Sequence, residues 1–203
     1  MSDATRRFDT QAAMQSAAAR TPAMRQYLEI KEAHTDAYLF YRIGDFYELF
    51  FDDAVEVSNL LGLTLTSRNK QDAAPIPMCG IPWHQRDGYV ARLLRIGHKV
   101  AICDQLEDAS QAQGMVKRGV TEVLTPGSVT QDAFLEGSGH RFLVALWPLA
   151  DRVGACLADA STGEVRLCEP TWDEAAAVLS RVTVAEWLVP AQVDEALRPR
   201  LEA

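Results

Sequence analysis

The feature that most constrains the fold of this chain is a pair of short strand-forming runs separated by a turn signal. The runs are Tyr38–Ile43 and Phe46–Phe50, and both are rich in the aromatic and branched residues that favour β-strands. Gly44 and Asp45 lie between them, and both residue types are common in tight turns. The sequence therefore predicts two strands joined by a tight turn.

The second of these strands has a distinctive alternation. Side chains in a strand point alternately to opposite faces, so Phe46 and Glu48 share one face while Tyr47 and Leu49 share the other. A flat ring beside a carboxylate suits a probe of stacked bases, because the ring can wedge into a base step and the carboxylate can test a base edge. The pair alone fits equally a buried Phe and a solvated Glu, which is the commoner arrangement in proteins.

Four blocks of sequence decide between these interpretations. They occur in a fixed order and together resemble the N-terminal region of the MutS family of DNA mismatch recognition proteins, and a weaker resemblance continues to the end of the chain. The blocks are Gly44–Phe50, Pro75–His84, Val100–Gln105 and Thr125–Gly127.

The resemblance implies a role for each candidate residue. Phe46 and Glu48 correspond to the family's mismatch probe, in which the Phe enters the minor groove, stacks on the mispaired base and kinks the duplex. In the family only one subunit of a homodimer inserts its Phe. Met78 is either a core residue or a surface that meets the ligand, and the resemblance favours the surface.

Basic residues near these blocks are candidates for contacts to backbone phosphates. The candidates are Arg68, Lys70, Lys117 and Arg118. On sequence alone, an ordinary solvated loop is the simpler interpretation of the segment that contains Arg68 and Lys70.

Composition by itself does not indicate a nucleic-acid-binding protein. The 203 residues are 48% hydrophobic and 24% charged, as in ordinary globular proteins, with a net charge of -8. Residues 1–127 carry 14 Lys and Arg against 16 Asp and Glu, whereas residues 128–203 carry 6 against 12. DNA-binding domains are usually strongly basic, so phosphate contacts require a local basic patch or a longer chain.

The sequence predicts an α+β fold in three parts. Residues 1–20 form a mobile tail, and residues 21–127 form a mismatch-recognition domain with a mixed β-sheet and flanking helices. Residues 128–203 begin with a linker and continue as three antiparallel strands, a helix and a further strand, the opening of a ribonuclease H-like sheet. The resemblance implies that this second domain is the family's connector domain, truncated at residue 203.

Local signals predict the helix boundaries. Thr21 and Pro22 are an N-cap and a first helical residue. Asp52 or Asp53 can cap a second helix, which Gly62 ends, and Asp53 and Glu56 have the spacing of a capping box. Thr171 and Glu174 have the same spacing and predict a helix that begins at Trp172. The three prolines of Pro75–Trp83 predict an extended loop rather than an inner strand.

Features that would indicate other locations or cofactors are missing from the sequence. Neither an apolar run of membrane-spanning length nor a signal-peptide core occurs, and no C-x-x-C pair is present among the four cysteines. We therefore expect a cytoplasmic, nucleoid-associated protein with reduced thiols and no membrane contact. A Gly-x-x-x-x-Gly-Lys motif is also missing, so ATP and Mg²⁺ are expected only in the full-length family, as a C-terminal ATPase.

Three further interpretations remain from the residues. A metal site is conceivable in the acidic cluster Asp45, Glu48, Asp52 and Asp53, or as zinc at Cys79, His84, His98 and Cys103. A metal-dependent nuclease of ribonuclease H-like type would use Asp151, Asp159 and Glu164, whose positions at hairpin ends argue against it.

The acidic second half is also suited to protein contacts, and the resemblance implies a MutL-type repair partner there and dimerisation through regions beyond residue 203. The resemblance implies duplex DNA with mismatches or small insertion loops as the ligand.

Overall fold

The computed structural model describes residues 21–68, 75–108, 114–129 and 140–192. The chain divides into two compact units, Met1–Leu124 and Thr125–Ala203. The predicted tail at residues 1–20 and most of the predicted linker lie outside the described residues, and the predicted domain division stays a prediction. Within the described ranges, no helix has both the length and the apolar character needed to cross a bilayer.

The first unit alternates helices and strands in an α+β fold, as the sequence predicts. A 3₁₀ turn, Trp83–Gln85, precedes the helix Arg86–Arg95. Its elements are α1 Pro22–Glu32, β1 Tyr38–Ile43, β2 Phe46–Phe50, α2 Phe51–Leu61, β3 Thr66–Arg68, β4 Ile76–Pro82, α3 Arg86–Arg95, β5 Val100–Gln105 and β6 Arg118–Leu124.

The strands form one mixed six-stranded sheet in the order β3-β4-β2-β1-β5-β6. Strands β1 and β2 are antiparallel neighbours, so the predicted pair of strands with its turn is confirmed at the predicted boundaries. Strands β1 and β5 run parallel at the centre of the sheet, with Tyr38 beside Val100. The remaining neighbours pair antiparallel.

Helix α1 covers one face of this sheet. Thr21 caps it through a hydrogen bond from the Met24 N–H, and Pro22 is its first residue, as predicted. Its Tyr27 ring packs edge-on against Tyr41 of β1 and Phe50 of β2, with centroid distances of 5.4 Å and 5.1 Å. Burying such aromatic residues contributes strongly to stability. Helix α1 therefore anchors the base of the β1–β2 hairpin.

Helices α2 and α3 complete the core of the first unit. Leu39 and Tyr41 belong to the cluster under α1, so Tyr38 and Phe40 point to the opposite face. The Tyr38 hydroxyl donates to Glu56 of α2 at 2.9 Å. Buried residues of both helices supply the remaining apolar surface: Ala54, Val57, Leu61, Val90, Leu93 and Leu94.

The predicted capping box at the start of α2 is wrong. The helix begins at Phe51 and has no side-chain cap, because Asp53 turns inward. Its carboxylate accepts hydrogen bonds from the buried Lys31 ammonium at 2.9 Å and from the Leu39 N–H at 3.0 Å. One buried ion pair thus joins α1, α2 and β1.

The predicted loop at Pro75–Trp83 is also wrong. Most of it is β4, an inner strand paired with β2 on one side and β3 on the other. Pro77 and Pro82 lie near the two ends of the strand. The proline-free stretch between them, residues 78–81, supplies the N–H groups for the central ladder.

The second unit is a four-stranded sheet with one helix among its described residues. Its order is β10-β7-β8-β9, with β10 parallel to β7 and the other pairs antiparallel. Thr171 and Glu174 form the predicted capping box of α4. The ribonuclease H-like assignment stays a prediction. The elements are β7 Phe142–Pro148, β8 Val153–Asp159, β9 Glu164–Cys168, α4 Trp172–Leu179 and β10 Val184–Leu188.

Candidate nucleic-acid interface

The β1–β2 turn presents the candidate probe at the end of the sheet. Gly44 adopts a φ of 56°, a left-handed conformation that glycine tolerates far better than other residues. The Asp45 carbonyl accepts a hydrogen bond from the Trp83 N–H at 3.0 Å. The turn is therefore tied to the end of β4 just before Phe46 begins β2.

Alternation along β2 leaves the Phe46 side chain outside the core. Phe46 is 48% exposed, whereas Tyr47 and Leu49 are buried. The predicted division of the strand into two faces is confirmed. An aromatic ring this exposed forgoes much of the hydrophobic stabilisation that burial would provide, so its position at the turn calls for an explanation other than packing.

Strand register places the described candidates on one face of the sheet. Residues directly opposite each other on neighbouring strands share a face. Phe46 lies opposite Ile43, and Glu48 lies opposite Tyr41. Ile43 and Tyr41 both belong to the apolar cluster under α1, so Phe46 and Glu48 point to the α1 side of the sheet.

The same argument extends across the sheet to three more candidates. Met78 lies opposite Phe50, Arg68 opposite Ile76, and Arg118 opposite Gln105. Met78 is half-buried and packs partly on the cluster under α1. Residues far apart in the chain are thereby gathered on the α1 face: Phe46, Glu48, Arg68, Met78 and Arg118.

Glu48 is held in a partly dehydrated position with one cation nearby. Its side chain is 18% exposed, and its Oε2 lies 3.6 Å from Nη1 of Arg68. That separation allows ion pairing but is too long for a hydrogen bond. Oε2 is buried without a hydrogen-bond partner among the described residues. Burial raises the pKa of Glu48 above its ordinary value, and the charges of Arg68 and Arg118 oppose the rise.

The candidate cations differ in how they are held. The Arg68 guanidinium is half-exposed and lies 5.8 Å from the centroid of the Phe50 ring. Arg118 donates to the Arg42 carbonyl at 2.6 Å and to the Gln26 side chain at 3.3 Å. Lys117 is exposed just before β6, and Lys70 lies outside the described residues.

Sequence reasoning missed a second cluster at the turn. The Arg42 guanidinium donates to the Gly44 carbonyl and lies 4.9 Å from the Trp83 ring and 5.4 Å from the Tyr47 ring. Trp83 is 49% exposed. An isolated Arg at the end of an apolar strand gave little signal, whereas Trp83 was already visible within one of the four sequence blocks. Both residues brace the turn that carries Phe46.

The alternative metal chemistries find little support in the described parts of the chain. No group of three or more His, Cys, Asp and Glu side chains is arranged there to hold a metal ion. Asp159 accepts hydrogen bonds from the Ser161 hydroxyl at 2.6 Å and from its N–H at 3.0 Å. The His140 ring lies 2.8 Å from the same carboxylate. These contacts fix a hairpin turn, and they lower the pKa of Asp159 to about 2 despite the opposing effect of burial.

Comparison with known proteins assigns this arrangement to a family. The family model for MutS domain I matches residues 21–133, which is more than half of the chain. The chain belongs to the MutS family. The matched residues include the β1–β2 hairpin, β3, β4 and β6, so every candidate for DNA contact lies within the range matched by MutS domain I.

Individual MutS proteins agree with this assignment. The chain is 46% identical over 179 residues to the DNA mismatch repair protein MutS of Desulfatibacillum aliphaticivorans, covering 88% of this chain and 20% of that protein. It is 50% identical over 149 residues to that of Desulfosudis oleivorans, covering 73% and 17%. For Ruegeria pomeroyi MutS the values are 44% over 185 residues, 88% and 21%. The chain therefore spans about a fifth of the length of these relatives.

Proposed function

We propose that this chain binds mismatched or unpaired bases in duplex DNA as the recognition step of DNA mismatch repair. Phe46 is the wedge that enters the minor groove, and Glu48 contacts the mispaired base. The observation that carries this proposal is the exposed Phe46 ring beside a half-buried carboxylate, on a braced turn within a MutS domain I. The relatives' names as DNA mismatch repair proteins support the substrate class.

Discrimination follows from the energy needed to open a base step. Inserting an apolar side chain unstacks neighbouring bases at a cost of a few kcal/mol per step. A mispaired base has already lost part of its pairing and stacking, so it is cheaper to displace. The protein then senses the deformability of the duplex more than the identity of a base. The braced turn supports this mechanism because a wedge must keep its orientation while it meets resistance.

Backbone contacts orient the duplex without selecting a mismatch. Lys and Arg contacts to phosphates supply affinity that does not depend on sequence. Arg68, Lys70, Lys117 and Arg118 are the proposed contacts. Lys117 is exposed, whereas the interior hydrogen bonds of Arg118 must be kept or exchanged when it meets a phosphate.

The whole protein's other properties are proposals drawn from the family. They comprise an ATPase that uses ATP and Mg²⁺, a homodimer, a MutL-type repair partner that binds the second unit, and a cytoplasmic, nucleoid-associated location. We propose that the described residues have no catalytic role of their own.

Substitution of the wedge tests the central proposal. Phe46→Ala in the protein at its native length should abolish the preference for a mismatched over a perfect duplex, because the wedge is lost while phosphate contacts remain. Equilibrium binding to both duplexes by fluorescence anisotropy measures the preference. Ile96→Ala is the matched control, since Ile96 is also about half exposed but lies just after α3, away from the turn. A Phe46→Ala variant that keeps its mismatch preference would exclude Phe46 as the wedge.

A further inference from the structure

Among the described residues of the α1 face, Glu48 and Arg68 bring a candidate base contact and a candidate phosphate contact within 3.6 Å of each other. Glu48 lies in β2 and Arg68 in β3, with β4 between these strands. Glu48 lies opposite Gly80 of β4, which has no side chain to separate the two. A Cβ at Gly80 would lie 3.6 Å from Cγ of Glu48 and 3.3 Å from the Tyr47 carbonyl oxygen. Because Arg68 lies opposite Ile76 of the same strand, its side chain reaches Glu48 diagonally across β4.

Neither Glu48 nor Arg68 is held strongly by the other. The Arg68 guanidinium has no hydrogen bond to Glu48 at 3.6 Å, and Oε2 is otherwise without a hydrogen-bond partner in the described structure. An ion pair at this distance, with a partly exposed Arg, contributes little to stability. A phosphate oxygen offers Arg a bidentate partner with stronger, charge-assisted hydrogen bonds. Arg68 thus has a weak partner in the free protein and a stronger one on the duplex.

We propose that Arg68 exchanges partners on binding, leaving Glu48 in the free protein for a backbone phosphate in the complex. This inference rests on the proposed function. Its consequence is that backbone contact removes the counter-charge of Glu48 just where the carboxylate meets a base. Arg68 is then a specificity-determining residue that acts through Glu48 as well as a phosphate contact.

The other groups around Glu48 do not replace Arg68 when it leaves. Tyr41 lies opposite Glu48 on β1, and burial raises its pKa to about 12, so it stays neutral. Arg118 of β6 is the other cation that opposes the raised pKa of Glu48 among the described residues, and its guanidinium donates to the Arg42 carbonyl and the Gln26 side chain. Departure of Arg68 therefore raises the pKa of Glu48 further and shifts the carboxyl towards the protonated form, which can donate a hydrogen bond to a base.

A double-mutant cycle tests the exchange by its sign. In the wild type, the phosphate contact of Arg68 is offset by loss of the Glu48 pair. With Glu48→Gln there is no pair to lose, so Arg68→Met should weaken binding more in that background, by about two- to fivefold. Lys117→Met is the matched control and should have the same effect in both backgrounds, because Lys117 makes no contact with Glu48. Binding of all variants to one mismatched duplex at a fixed salt concentration is measured. The loss of affinity caused by Arg68→Met and by Lys117→Met is then compared with Glu48 and with Gln at position 48.

The opposite result has a clear meaning. If Arg68 stays on Glu48 in the complex, its penalty with Glu48 present will equal or exceed the penalty with Gln, and either outcome overturns the exchange. The proposed function does not depend on this result, because it is judged separately by the mismatch preference of Phe46→Ala.

The pH dependence of binding supplies a second measurement. Mismatch affinity should fall with rising pH between the pKa of Glu48 in the free protein and its higher pKa in the complex. If Arg68 exchanges partners, Arg68→Met raises the pKa of Glu48 in the free protein but not in the complex. The fall in mismatch affinity should then begin at higher pH and be smaller in total. If the whole curve of affinity against pH instead moves to higher pH unchanged in size, Arg68 also stays beside Glu48 in the complex, and the exchange is overturned.

Discussion

At the scale of single residues, the role that we propose for Glu48 is to discriminate between duplexes rather than to increase affinity. It faces the side on which DNA would lie, it is partly dehydrated, and its pKa is raised chiefly by burial. Phosphates nearby would raise the pKa further, because a negative surrounding disfavours a second negative charge. On a perfect duplex the base remains stacked, so the ionised group gains no partner and mainly repels.

Glu48→Gln should therefore bind a perfect duplex more tightly than the wild type and discriminate less. Glutamine keeps a donor and loses the charge. The variant should also lose much of the fall in mismatch affinity with rising pH. Fluorescence anisotropy across pH on matched and mismatched duplexes measures both effects. Glu29→Gln, which removes an exposed carboxylate of α1, is the control. Unchanged affinity for the perfect duplex, together with an unchanged pH profile, would contradict the protonated-carboxylate account.

At the scale of elements, the Lys31–Asp53 pair joins two helices and a strand inside the first unit. Both side chains are nearly inaccessible to solvent. The Lys31 ammonium also donates to the Ala37 carbonyl at 2.7 Å. Removing one partner of a buried ion pair is expensive because the other charge is left unpaired in a poor solvent for ions.

Lys31→Met should lower the free energy of unfolding by about 3 to 5 kcal/mol. Burial already raises the pKa of Asp53, and the Lys31 charge opposes the rise, so the pKa should rise further in the variant and lie further above the unfolded value of about 3.9. A raised folded pKa means that stability is retained below the unfolded pKa and is lost as pH rises through the folded value. The deficit against the wild type should thus be larger at neutral than at mildly acidic pH, as measured by urea unfolding.

The matched control for this variant is Lys99→Met. Lys99 forms an ion pair with Asp36 at a similar distance, 3.2 Å, but both side chains are exposed. Such pairs contribute about 0 to 1 kcal/mol. Two outcomes would contradict a strong contribution of the buried Lys31–Asp53 pair. The two variants could lose equal free energies of unfolding, or the loss for Lys31→Met could stay the same at every pH.

A second element-scale prediction concerns the Thr125–Gly127 block. A Cβ at Gly127 would lie 2.8 Å from Cβ of Glu186 in β10 and 2.9 Å from Cδ1 of Leu143 in β7. The Gly127 N–H donates to the Glu186 carboxylate at 3.0 Å. The close approach of backbone to two strands of the second unit explains why glycine stands at this position.

Gly127→Ala should destabilise the second unit by about 1 to 3 kcal/mol through overpacking. Gly154→Ala is the control, because a Cβ there would meet Trp147 at ordinary contact distances, 3.6 Å from its Cβ and 3.7 Å from its carbonyl oxygen. Denaturant unfolding followed by tryptophan fluorescence compares the two. A Gly127→Ala variant as stable as the control would show that β7 and β10 yield to the methyl group.

Local chemistry explains which elements the sequence predicts well. The Thr21 cap, the Thr171–Glu174 capping box and the alternation of β2 each depend on residues within a few positions of one another, and all three are confirmed. Partners remote in sequence account for the errors. The local sequence predicts that Asp53 caps a helix, but its carboxylate instead accepts a hydrogen bond from Lys31, 22 residues earlier in the chain.

The candidate site shows the same division. Phe46 and Glu48 are marked by a local pattern, and their common face follows from strand alternation. The pairing of Glu48 with Arg68 depends on strand order, since β4 stands between their strands. Arg118 donates hydrogen bonds to Arg42 and Gln26, which precede it in the chain by 76 and 92 positions. Neither arrangement can be predicted before the sheet order is known.

At the scale of the whole molecule, net charge limits how DNA can be held. The chain carries -8 overall, so its long-range attraction to DNA is weak, and its own phosphate contacts depend on a few local cations such as the exposed Lys117. Each phosphate neutralised by a protein cation releases counterions and adds about 0.9 to the slope of log affinity against log salt on B-form DNA.

Lys117→Ala should accordingly reduce the salt slope by about 1 and weaken binding to matched and mismatched duplexes alike. Titrations at several salt concentrations on both duplexes give the slopes. Arg25→Ala, which removes an exposed cation of α1, shows whether any loss of positive charge has the same effect. A Lys117→Ala variant that changes mismatch preference while keeping its salt slope would assign Lys117 to base readout.

The parallel pairing of β1 with β5 has a consequence for how the first unit is made. Tyr38 and Val100 are adjacent in the sheet but about sixty residues apart in the chain, whereas β1 and β2 are joined by a two-residue turn. Chains rich in such remote pairings fold slowly, because the entropy of closing a long loop must be lost before the contacts form. Hairpins form within microseconds. The two strands that flank the turn before Phe46 can thus pair early in synthesis, but the six-stranded sheet is complete only after residue 124 has emerged from the ribosome.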